Sequence, residues 1–547
     1  MKPTIGRSLV RAYHEARRED AGVVRRARRR SVFRVITTVL SAGAILVATT
    51  MTLSRPKSAG ASGDPVPAVL ARSTADWVVQ ENQRPGTSAW RIGNAPTRIE
   101  GFADRVSAQV GARVRLFVST PANHFHVEAY RFGWYGGDGA RLVWRSGPVP
   151  GHLQTSRRFV ASTRMVEAAW HPSLAFTVTS RWVQGAYLLL LVGSDGSKSY
   201  IPLTIRDDSS HADLVIQLPT TTWQAYNRWG GYSLYDGPHG YADRSYVVSF
   251  DRPYATTRGA PDFFDRARPL IALAERKGYD VTYWTDNDLD RRPRLLRHHR
   301  ALITLGHDEY WSSEMRKGAL RARATGVNLA FLGSNADYRH IRLVRSPLGA
   351  GRHEIDYKTD WRLDPLYGVQ NRDVTSEWRT GPMPRPESAL NGGFYQCYPV
   401  QADMVVSKPR SWLFANTGAS QGQRLRHLIR LEYDKVDASA PTPKSIQILA
   451  HTPVSCGGSD HSDLTYYTTR SKAGVVDTGT NEWIGALRCG FRGGPSPSSP
   501  IAWCSHVVVK ATINLLTLFA RGPAGRWHPS KPNVGSFGIH LRRPIDP

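Results

Sequence analysis

The chain has 547 residues, of which 41% are hydrophobic and 10% aromatic, including 16 Trp and 22 Tyr. This length exceeds what one hydrophobic core usually organises, and so many large apolar side chains exclude an intrinsically disordered protein. The 72 Lys and Arg against 45 Asp and Glu give a formal charge of +27. This charge is suited to binding anionic lipids or cell-wall polymers. Nucleic-acid binding is not expected, because no zinc-finger, helix-turn-helix or RNA-stacking motif accompanies the charge.

The N-terminal sequence has the pattern of an export signal. A basic head over residues 1–34 precedes an apolar stretch without ionisable side chains at residues 35–53. At a helical rise of about 1.5 Å per residue, such a stretch nearly spans a hydrocarbon core of about 30 Å. It is predicted to be a signal anchor, which makes the chain a single-pass membrane protein with its body outside, or a cleaved signal peptide of a secreted protein. The Pro-, Gly-, Ala- and Ser-rich residues 54–73 are the predicted linker.

Residues 74–208 carry apolar runs of strand length, such as RVRLFVST and AYLLLLVG, separated by glycine-rich turns. This pattern predicts an antiparallel β-sandwich of immunoglobulin-like size. We assign no chemistry to this part of the chain.

From residue 209 to the C-terminus, strands first alternate with longer helical segments. The runs ADLVIQLP, VTYWT, RALITLGH and VNLAFLGSN read as buried strands. Strands joined by such helices predict a parallel sheet and an α/β domain. Ligands of these sheets bind outside the carboxyl ends of the strands, which selects the loops after Pro219, around Asp286, from His307 and at Asn335.

Beyond about residue 345 the sequence is rich in Pro, Gly and Arg, with scattered β-like runs and a final helix, SHVVVKATINLLTLFA. All four cysteines lie in this region. An even number in an exported chain predicts two disulfides with three alternative connectivities, and without C-x-x-C spacing a zinc site is the weaker alternative. The cysteines are Cys397, Cys456, Cys489 and Cys504.

The densest group of reactive side chains follows the third parallel strand. It contains His307, Asp308, Glu309 and Tyr310 in the run GHDEYWS. An imidazole, two carboxylates and a phenol could act as general acids or bases or as hard-metal ligands. The alternative is a capping cluster at the start of the next helix, with the aromatic rings packed in the core.

Two further loops supply candidate pocket residues. In the loop after the first strand, Tyr226 and Asn227 are the candidates, whereas packing against the neighbouring domain is favoured for Trp223 and Trp229. At the end of the fourth strand, Asn335 is a candidate pocket amide. Ser334 is rejected as a nucleophile because G-x-S-x-G is absent. Walker A, G-x-G-x-x-G and H-E-x-x-H motifs are also absent.

Together these motifs resemble a known family. The runs TTTWQAYNRWGGYSLY, GYDVTYWTDNDL, GHDEYWSSEM, NLAFLGSN and AGVVDTGTNEW, in this order, are similar to the large (beta) subunit-like C-terminal domain of N,N-dimethylformamidase. The resemblance implies a β-sandwich joined to a glutamine-amidotransferase-like, flavodoxin-like α/β domain. It also implies hydrolysis of a small amide at one iron ion held by two tyrosines and a glutamate.

Carried onto this sequence, the resemblance implies Tyr310 as a metal ligand, with His307 or Glu309 moving protons. The second tyrosine of the family falls on a helix that has none here, and Arg339 stands where a Trp is expected. Substitute ligands would come from Tyr226, Tyr279, Tyr283 or Glu309.

Two functions therefore compete. The first is an exported, metal-dependent hydrolase of an amide C–N bond, with iron as its cofactor. The second is a non-catalytic cell-envelope protein that binds a polysaccharide or another acidic partner through its aromatic, basic surface. The corresponding ligand is a small amide or an envelope component, and a homo-oligomer or a small partner subunit is compatible with either function.

Overall fold

The computed structural model describes residues 74–491 and 504–547. Residues 74–547 cluster as one compact unit. The predicted head, signal or anchor stretch and linker, residues 1–73, lie outside the described residues. Within the two described ranges, no helix is both long and apolar enough to cross a bilayer.

The first part of this unit is β-structure in which all pairings are antiparallel except that of β2 with β11, and a short helix, α1 (Asp76–Asn82), precedes it. The long apolar runs recognised in the sequence form strands. The strands of this first part are β1 (Glu100–Ala103), β2 (Ser107–Ala108), β3 (Arg113–Ser119), β4 (His124–Phe132), β5 (Ala140–Arg145), β6 (Val149–Pro150), β7 (Arg157–Val160), β8 (Met165–Ala168), β9 (Leu174–Thr177), β10 (Gly185–Gly193) and β11 (Lys198–Ile205).

These strands form a three-stranded sheet, β1-β3-β9, a larger sheet with the order β2-β11-β10-β4-β5, in which β6 also pairs with β4, and a separate pair, β7-β8. The leucine run of β10 is buried on both faces. Leu189 and Leu191 belong to the core inside this β-structure, whereas Leu188 and Leu190 pack into the core shared with the following α/β part. Since successive strand residues point to opposite faces, one sheet serves two cores.

The second part begins with alternating strands and helices. Its strands are β12 (Leu214–Leu218), β13 (Val247–Ser249), β14 (Val281–Thr285), β15 (Ala301–Leu305), β16 (Tyr310–Ser312), β17 (Asn328–Leu332), β18 (Arg339–Ser346), β19 (Gly349–Ile355) and β20 (Ser376–Glu377). The helices that follow α1 are α2 (Thr220–Ala225), α3 (Arg268–Arg276), α4 (Asp286–Arg291), α5 (Ser313–Arg323), α6 (Ser388–Asn391) and α7 (His506–Ala520). The remaining strands are β21 (Phe394–Val405), β22 (Arg424–Lys435), β23 (Thr442–Pro443), β24 (Gln447–Ser455), β25 (Ser459–Thr468), β26 (Gly474–Asp477) and β27 (Pro544–Ile545).

The main sheet has the order β14-β12-β15-β17-β26-β25-β24. The first five strands are parallel, and β25 and β24 close one side as antiparallel strands. The four strands predicted from the sequence are thus confirmed as neighbours in a parallel arrangement. The fifth parallel strand, β26, is short, and its sequence alone indicated only a β-like run.

The helices follow the predicted pattern. The segment between the first two predicted strands becomes α-helical only at Arg268, because Phe263–Ala267 form a turn of π-helix. Helix α5 is capped by Ser312, whose hydroxyl accepts from the backbone N–H of Met315. The final helix α7 is confirmed, with Ser505 as its cap.

All four cysteines form disulfides. Cys397 pairs with Cys456 and Cys489 with Cys504, which confirms two disulfides and selects one of the three connectivities. Disulfides persist in oxidising compartments outside the cytoplasm. The pairing therefore indicates an extracellular or secreted protein.

The carboxyl ends of β15 and β17 approach each other unusually closely. A Cβ atom at Gly333 would lie only 1.5 Å from the carbonyl oxygen of Gly306, and Gly306 itself has a φ of +58°. Glycine at position 333 avoids this clash, and the left-handed backbone at position 306 favours glycine there as well. The residues that follow, at 307–309 and 335, are thereby brought together at one edge of the sheet.

Candidate active site at the carboxyl edge of the sheet

A network of buried polar groups holds the strand ends in place beneath the site. The side-chain amide of Gln217 donates to Asp286 Oδ1 at 2.7 Å and to Asp308 Oδ2 at 3.1 Å. The indole of Trp311 also donates to Asp308, at 2.9 Å. Burial raises the pKa of Asp308 to about 7. Asp308 thus ties the loop after β15 to Gln217 on β12 and to Trp311 on β16.

The centre of the site is the carboxylate of Glu309, which is only 1% exposed. Its Oε2 accepts a hydrogen bond from the hydroxyl of Tyr226 at 2.8 Å, and its Oε1 accepts one from the hydroxyl of Tyr235 at 2.7 Å. The two phenol oxygens are 3.0 Å apart, and their rings are stacked with centroids 4.4 Å apart. Three oxygen-bearing side chains therefore converge on one point.

Tyr310 completes the cluster from the other side. Its ring stands edge-on to the rings of Tyr226 and Tyr235, at centroid distances of 6.3 and 6.5 Å. Its hydroxyl accepts a short hydrogen bond from the ammonium group of Lys358. Burial, followed by the negative charge of Glu309, raises the pKa of Tyr310 well above its usual range. Near neutrality this phenol keeps its proton unless a cation replaces it.

Two cations border the cluster. Arg339 Nε lies 3.3 Å from Glu309 Oε1, and the same guanidinium reaches Glu377. Lys358 is fully buried, with its nitrogen 3.5 Å from the ring centroid of Tyr235. Burial, with the nearby charge of Arg339, lowers the pKa of Lys358 to about 7. The arginine that replaces an expected Trp thus has a direct contact with the central carboxylate.

A histidine and a second carboxylate lie beside Glu309. Nε2 of His307 is 3.1 Å from Glu432 Oε2 and 3.4 Å from Glu309 Oε2. Asn481 donates to Glu432 at 2.9 Å and fixes its orientation. Burial opposes the charged imidazolium, but the carboxylate of Glu432 overcomes this and raises the pKa of His307. The pair can exchange a proton next to the phenol cluster.

Asn335 joins this group through its side-chain amide. The amide nitrogen lies 3.3 Å from His307 Nε2, and the backbone N–H donates to Asp434 at 2.8 Å. The residue has a φ of +57°, a left-handed conformation that asparagine tolerates better than most residues. Its carbonyl oxygen Oδ1 is buried and has no hydrogen-bond partner among the described residues. A buried acceptor without a protein partner is available to a hydrogen-bond donor of a bound ligand.

The site reaches the surface along Tyr226, whose side chain is 39% exposed although its hydroxyl points at Glu309. By contrast, Asn227 is buried and its amide bonds the carbonyl of Pro253. Tyr279 bonds the carbonyl of Ile513, and Tyr283 bonds Glu275. Of the candidate substitute tyrosines, the structure therefore brings only Tyr226 to the cluster.

Three residues of the site were not singled out by sequence reasoning: Tyr235, Lys358 and Glu432. Tyr235 ends the run TTTWQAYNRWGGYSLY, and its spacing of nine residues from Tyr226 was the available signal. Lys358 begins a 3-10 helix and Glu432 lies in the middle of the long strand β22. Neither of the latter two belongs to a recognisable motif.

The donor atoms around Glu309 fit a hard metal ion. Carboxylate and phenol oxygens are hard ligands, and those of Glu309, Tyr226 and Tyr235 already lie within hydrogen-bond distance of each other. A cation would replace the two phenolic protons. Arg339 would then offset part of the additional negative charge.

Three further groups of His, Cys, Asp and Glu side chains among residues 74–491 and 504–547 are spaced closely enough to hold a metal ion. One of them includes the disulfide-bonded Cys489 and Cys504, whose sulfurs are therefore not free thiolates. The other two groups are His451, His461 and Asp463, and Glu167, Asp251 and His353.

Two solved structures show a distant likeness to this chain. A cycloisomaltooligosaccharide glucanotransferase of Paenibacillus sp. is 9% identical, with a TM-score of 0.14, and the match covers 23% of this chain and 16% of that one. An uncharacterized protein from Bacillus anthracis str. Ames is 10% identical, with a TM-score of 0.13, over 25% of this chain and 94% of that one. Neither supports an argument about fold or function. Among curated proteins, none matches the sequence.

Comparison with protein families gives a clear result. The family model described as N,N-dimethylformamidase beta subunit-like, C-terminal, matches residues 126–496, which is more than half of the chain. The matched range contains every residue of the cluster around Glu309. This chain belongs to the N,N-dimethylformamidase beta subunit-like C-terminal family.

Proposed function

We propose that this chain is an exported, metal-dependent hydrolase that cleaves the C–N bond of an amide at the cluster around Glu309. The observation that carries the proposal is the convergence of the phenols of Tyr226 and Tyr235 on the buried Glu309 carboxylate, at 2.8 and 2.7 Å. Iron, when bound, supplies Lewis-acid polarisation of a carbonyl group and acidifies water.

In this proposal, Glu309, Tyr226 and Tyr235 hold the metal ion, which gives two tyrosines and one glutamate, as the family resemblance implies. Tyr310 is the third phenol of the cluster and a further ligand candidate. Its oxygen is engaged by Lys358, whose pKa is lowered to about 7 by burial. A neutral Lys358 amine would be placed to accept the proton that Tyr310 would have to give up in order to bind a cation.

Proton transfer falls to the neighbouring pair. Glu432 is held as a carboxylate by His307 and Asn481, since these partners outweigh burial and lower the pKa of Glu432. It can take a proton from an attacking water. His307, placed between Glu432 and Glu309, can return a proton to the leaving amine. The unpartnered Oδ1 of Asn335 can accept a hydrogen bond from the substrate.

We also propose the finer assignments made from the sequence. Residues 35–53 act as a signal anchor or signal peptide, residues 74–208 form an immunoglobulin-like sandwich, and residues 209–547 form a glutamine-amidotransferase-like, flavodoxin-like domain. The substrate is then an amide found outside the cytoplasm. This location follows from the two disulfides.

The proposal is tested by measuring the iron content of the full chain after expression in iron-supplemented medium. Wild type should retain iron, and Glu309→Gln should lower the iron content by at least about tenfold. His307→Gln should keep the iron but lower the turnover of a panel of short N-alkyl formamides and acetamides by about 100-fold. This separation distinguishes a ligand from a proton-transfer residue.

Tyr241→Phe is the matched control, because Tyr241 is 43% exposed and outside the cluster. It should change neither iron content nor turnover. Wild type purified without iron, or Glu309→Gln with undiminished iron, would contradict the metal site. Iron retention without hydrolysis of any amide in the panel would leave the metal site standing and remove the proposed reaction.

A further inference from the structure

A groove of about 840 Å³ lies far from Glu309, between the segment after β21 and the segment after α7. The first wall is formed by the loop at residues 407–412 and the second by residues 527–531. Gln447, at the start of β24, contributes to the floor. The volume is of the size that holds a small ligand or a few units of a polymer.

The groove lies beside β24, the outermost strand on one side of the main sheet, which is four strands away from β15, the strand that leads into the candidate active site. Strand β24 runs parallel to β26, because both are antiparallel to β25. Strand β26 in turn is parallel to β17. Through β25 and β26, Gln447 at the start of β24 is level with Ala330 in the middle of β17, whereas Glu309 and Asn335 follow the carboxyl ends of β15 and β17. A ligand in the groove would not compete with a substrate at Glu309.

The lining combines aromatic, amide and basic side chains. Trp527 is 38% exposed, and Trp412 lies beside it, stacked on His528 with ring centroids 6.1 Å apart. The indole N–H of Trp412 is buried without a hydrogen-bond partner among the described residues. Indole faces stack on apolar ring surfaces, and an unpaired indole N–H can still donate.

The charge of the groove has one sign. Lys408, Arg410 and Lys531 line it, and none of its lining residues is an Asp or Glu. Within the described parts of the chain, none of these three cations forms an ion pair with a carboxylate. By contrast, Lys435 on the neighbouring strand β22 pairs with Asp460 at 3.1 Å. The unneutralised charge favours an anionic ligand.

We propose that this groove binds an acidic polysaccharide. The apolar face of a sugar ring stacks on an indole, glutamine amides offer both donors and acceptors to sugar hydroxyls, and the three cations pair with carboxylate or phosphate substituents. The disulfides place the protein where envelope polysaccharides occur and nucleic acids do not. The groove would hold the protein beside such a polymer while the site around Glu309, four strands away in the sheet, stays open.

Binding of polygalacturonate by the full chain in detergent tests the proposal, with dextran as a neutral polysaccharide and polyglutamate as a polyanion without sugar rings. We expect polygalacturonate to bind best, and added salt to weaken that binding. Trp527→Ala and Arg410→Ala should each lower the affinity for polygalacturonate by about fivefold or more.

Phe159→Ala and Arg181→Ala are the matched controls, since both residues are exposed in the N-terminal β-structure, away from the groove. They should leave the affinity unchanged. Equal binding of polyglutamate, equal binding of dextran, or an equal loss in the controls would overturn the proposal. Glu309→Gln should bind polygalacturonate like wild type, so that failure of the hydrolase proposal and failure of this one are distinguishable.

Discussion

At the scale of single residues, the most consequential feature beneath the site is the pair of carboxyl groups from Asp286 and Asp308. Both are buried, and Gln217 bridges them. Burial raises the pKa of both groups, that of Asp308 to about 7. Two buried carboxylates that bond the same amide repel each other when both are charged, so the pair shares a proton at neutral pH.

The shared proton makes stability depend on pH. The pKa of Asp308 is raised from an ordinary 3.8 to about 7 in the folded state, so the folded state binds more protons between these values. Stability contributed by Asp308 is therefore complete at low pH and is lost as the pH rises through about 7. Asp308→Asn, which mimics the neutral carboxyl group, should reduce the fall in thermal midpoint between about pH 5 and about pH 8.

Asp546→Asn provides the comparison, because Asp546 lies on the surface, where its side chain is 51% exposed. This variant should follow the wild-type pH dependence. If Asp308→Asn shows the same fall in midpoint as wild type, the shared-proton explanation is wrong.

At the scale of elements, the close approach of two strand ends creates the site. The ends of β15 and β17 can meet because Gly333 has no Cβ atom to collide with the carbonyl oxygen of Gly306. Gly333→Ala would place a methyl group 1.5 Å from a backbone oxygen, so the strand ends must separate. We expect a loss of stability of about 2 kcal/mol or more, seen as a lower thermal midpoint, together with lost iron retention.

Gly147→Ala is the matched substitution, since no atom lies within 4 Å of the Cβ position there. It should be nearly neutral for both readouts. A Gly333→Ala protein as stable as Gly147→Ala would show that the strand ends can shift at little cost.

The parallel strands were predictable because buried apolar runs joined by helices have few alternative arrangements. The rule that ligands gather at the carboxyl edge then placed His307, Asn335 and Tyr226 near each other, as the structure shows. Lys358 and Glu432 were not predictable, because they come from segments without a local pattern. Only the long-range packing of the β21–β22 hairpin and of the segment after β19 brings them to the site.

At the scale of the whole molecule, a buried ion pair connects the β-structure to the α/β part. Arg131 on β4 donates to Glu275 on α3 through two nitrogens, at 2.6 and 3.0 Å, and both side chains are fully buried. Tyr283 and Asn82 also donate to Glu275, at 2.6 and 2.9 Å. Four segments of the chain therefore meet at one carboxylate, which fixes the two parts as one unit.

Arg131→Met should be strongly destabilising because it leaves the Glu275 carboxylate buried without its charged partner. The expected loss is about 3–5 kcal/mol, measured as a lower midpoint of urea unfolding. Arg98→Met removes an ion pair of the same type from the surface, where the Arg98 side chain is 62% exposed. That change should cost at most about 1 kcal/mol.

The double variant Arg131→Met/Glu275→Gln separates the two contributions to this loss. If the stranded charge dominates, removing it restores part of the stability, because the neutral amide introduced at position 275 still accepts the hydrogen bond from Tyr283. If the double variant is no more stable than Arg131→Met, the loss comes instead from the packing and hydrogen bonds of the guanidinium, including its contacts with Tyr135 and the carbonyl of Gln184. An Arg131→Met protein that unfolds no earlier than Arg98→Met would contradict both explanations, and would mean that the shared leucine core around β10 alone holds the two parts together.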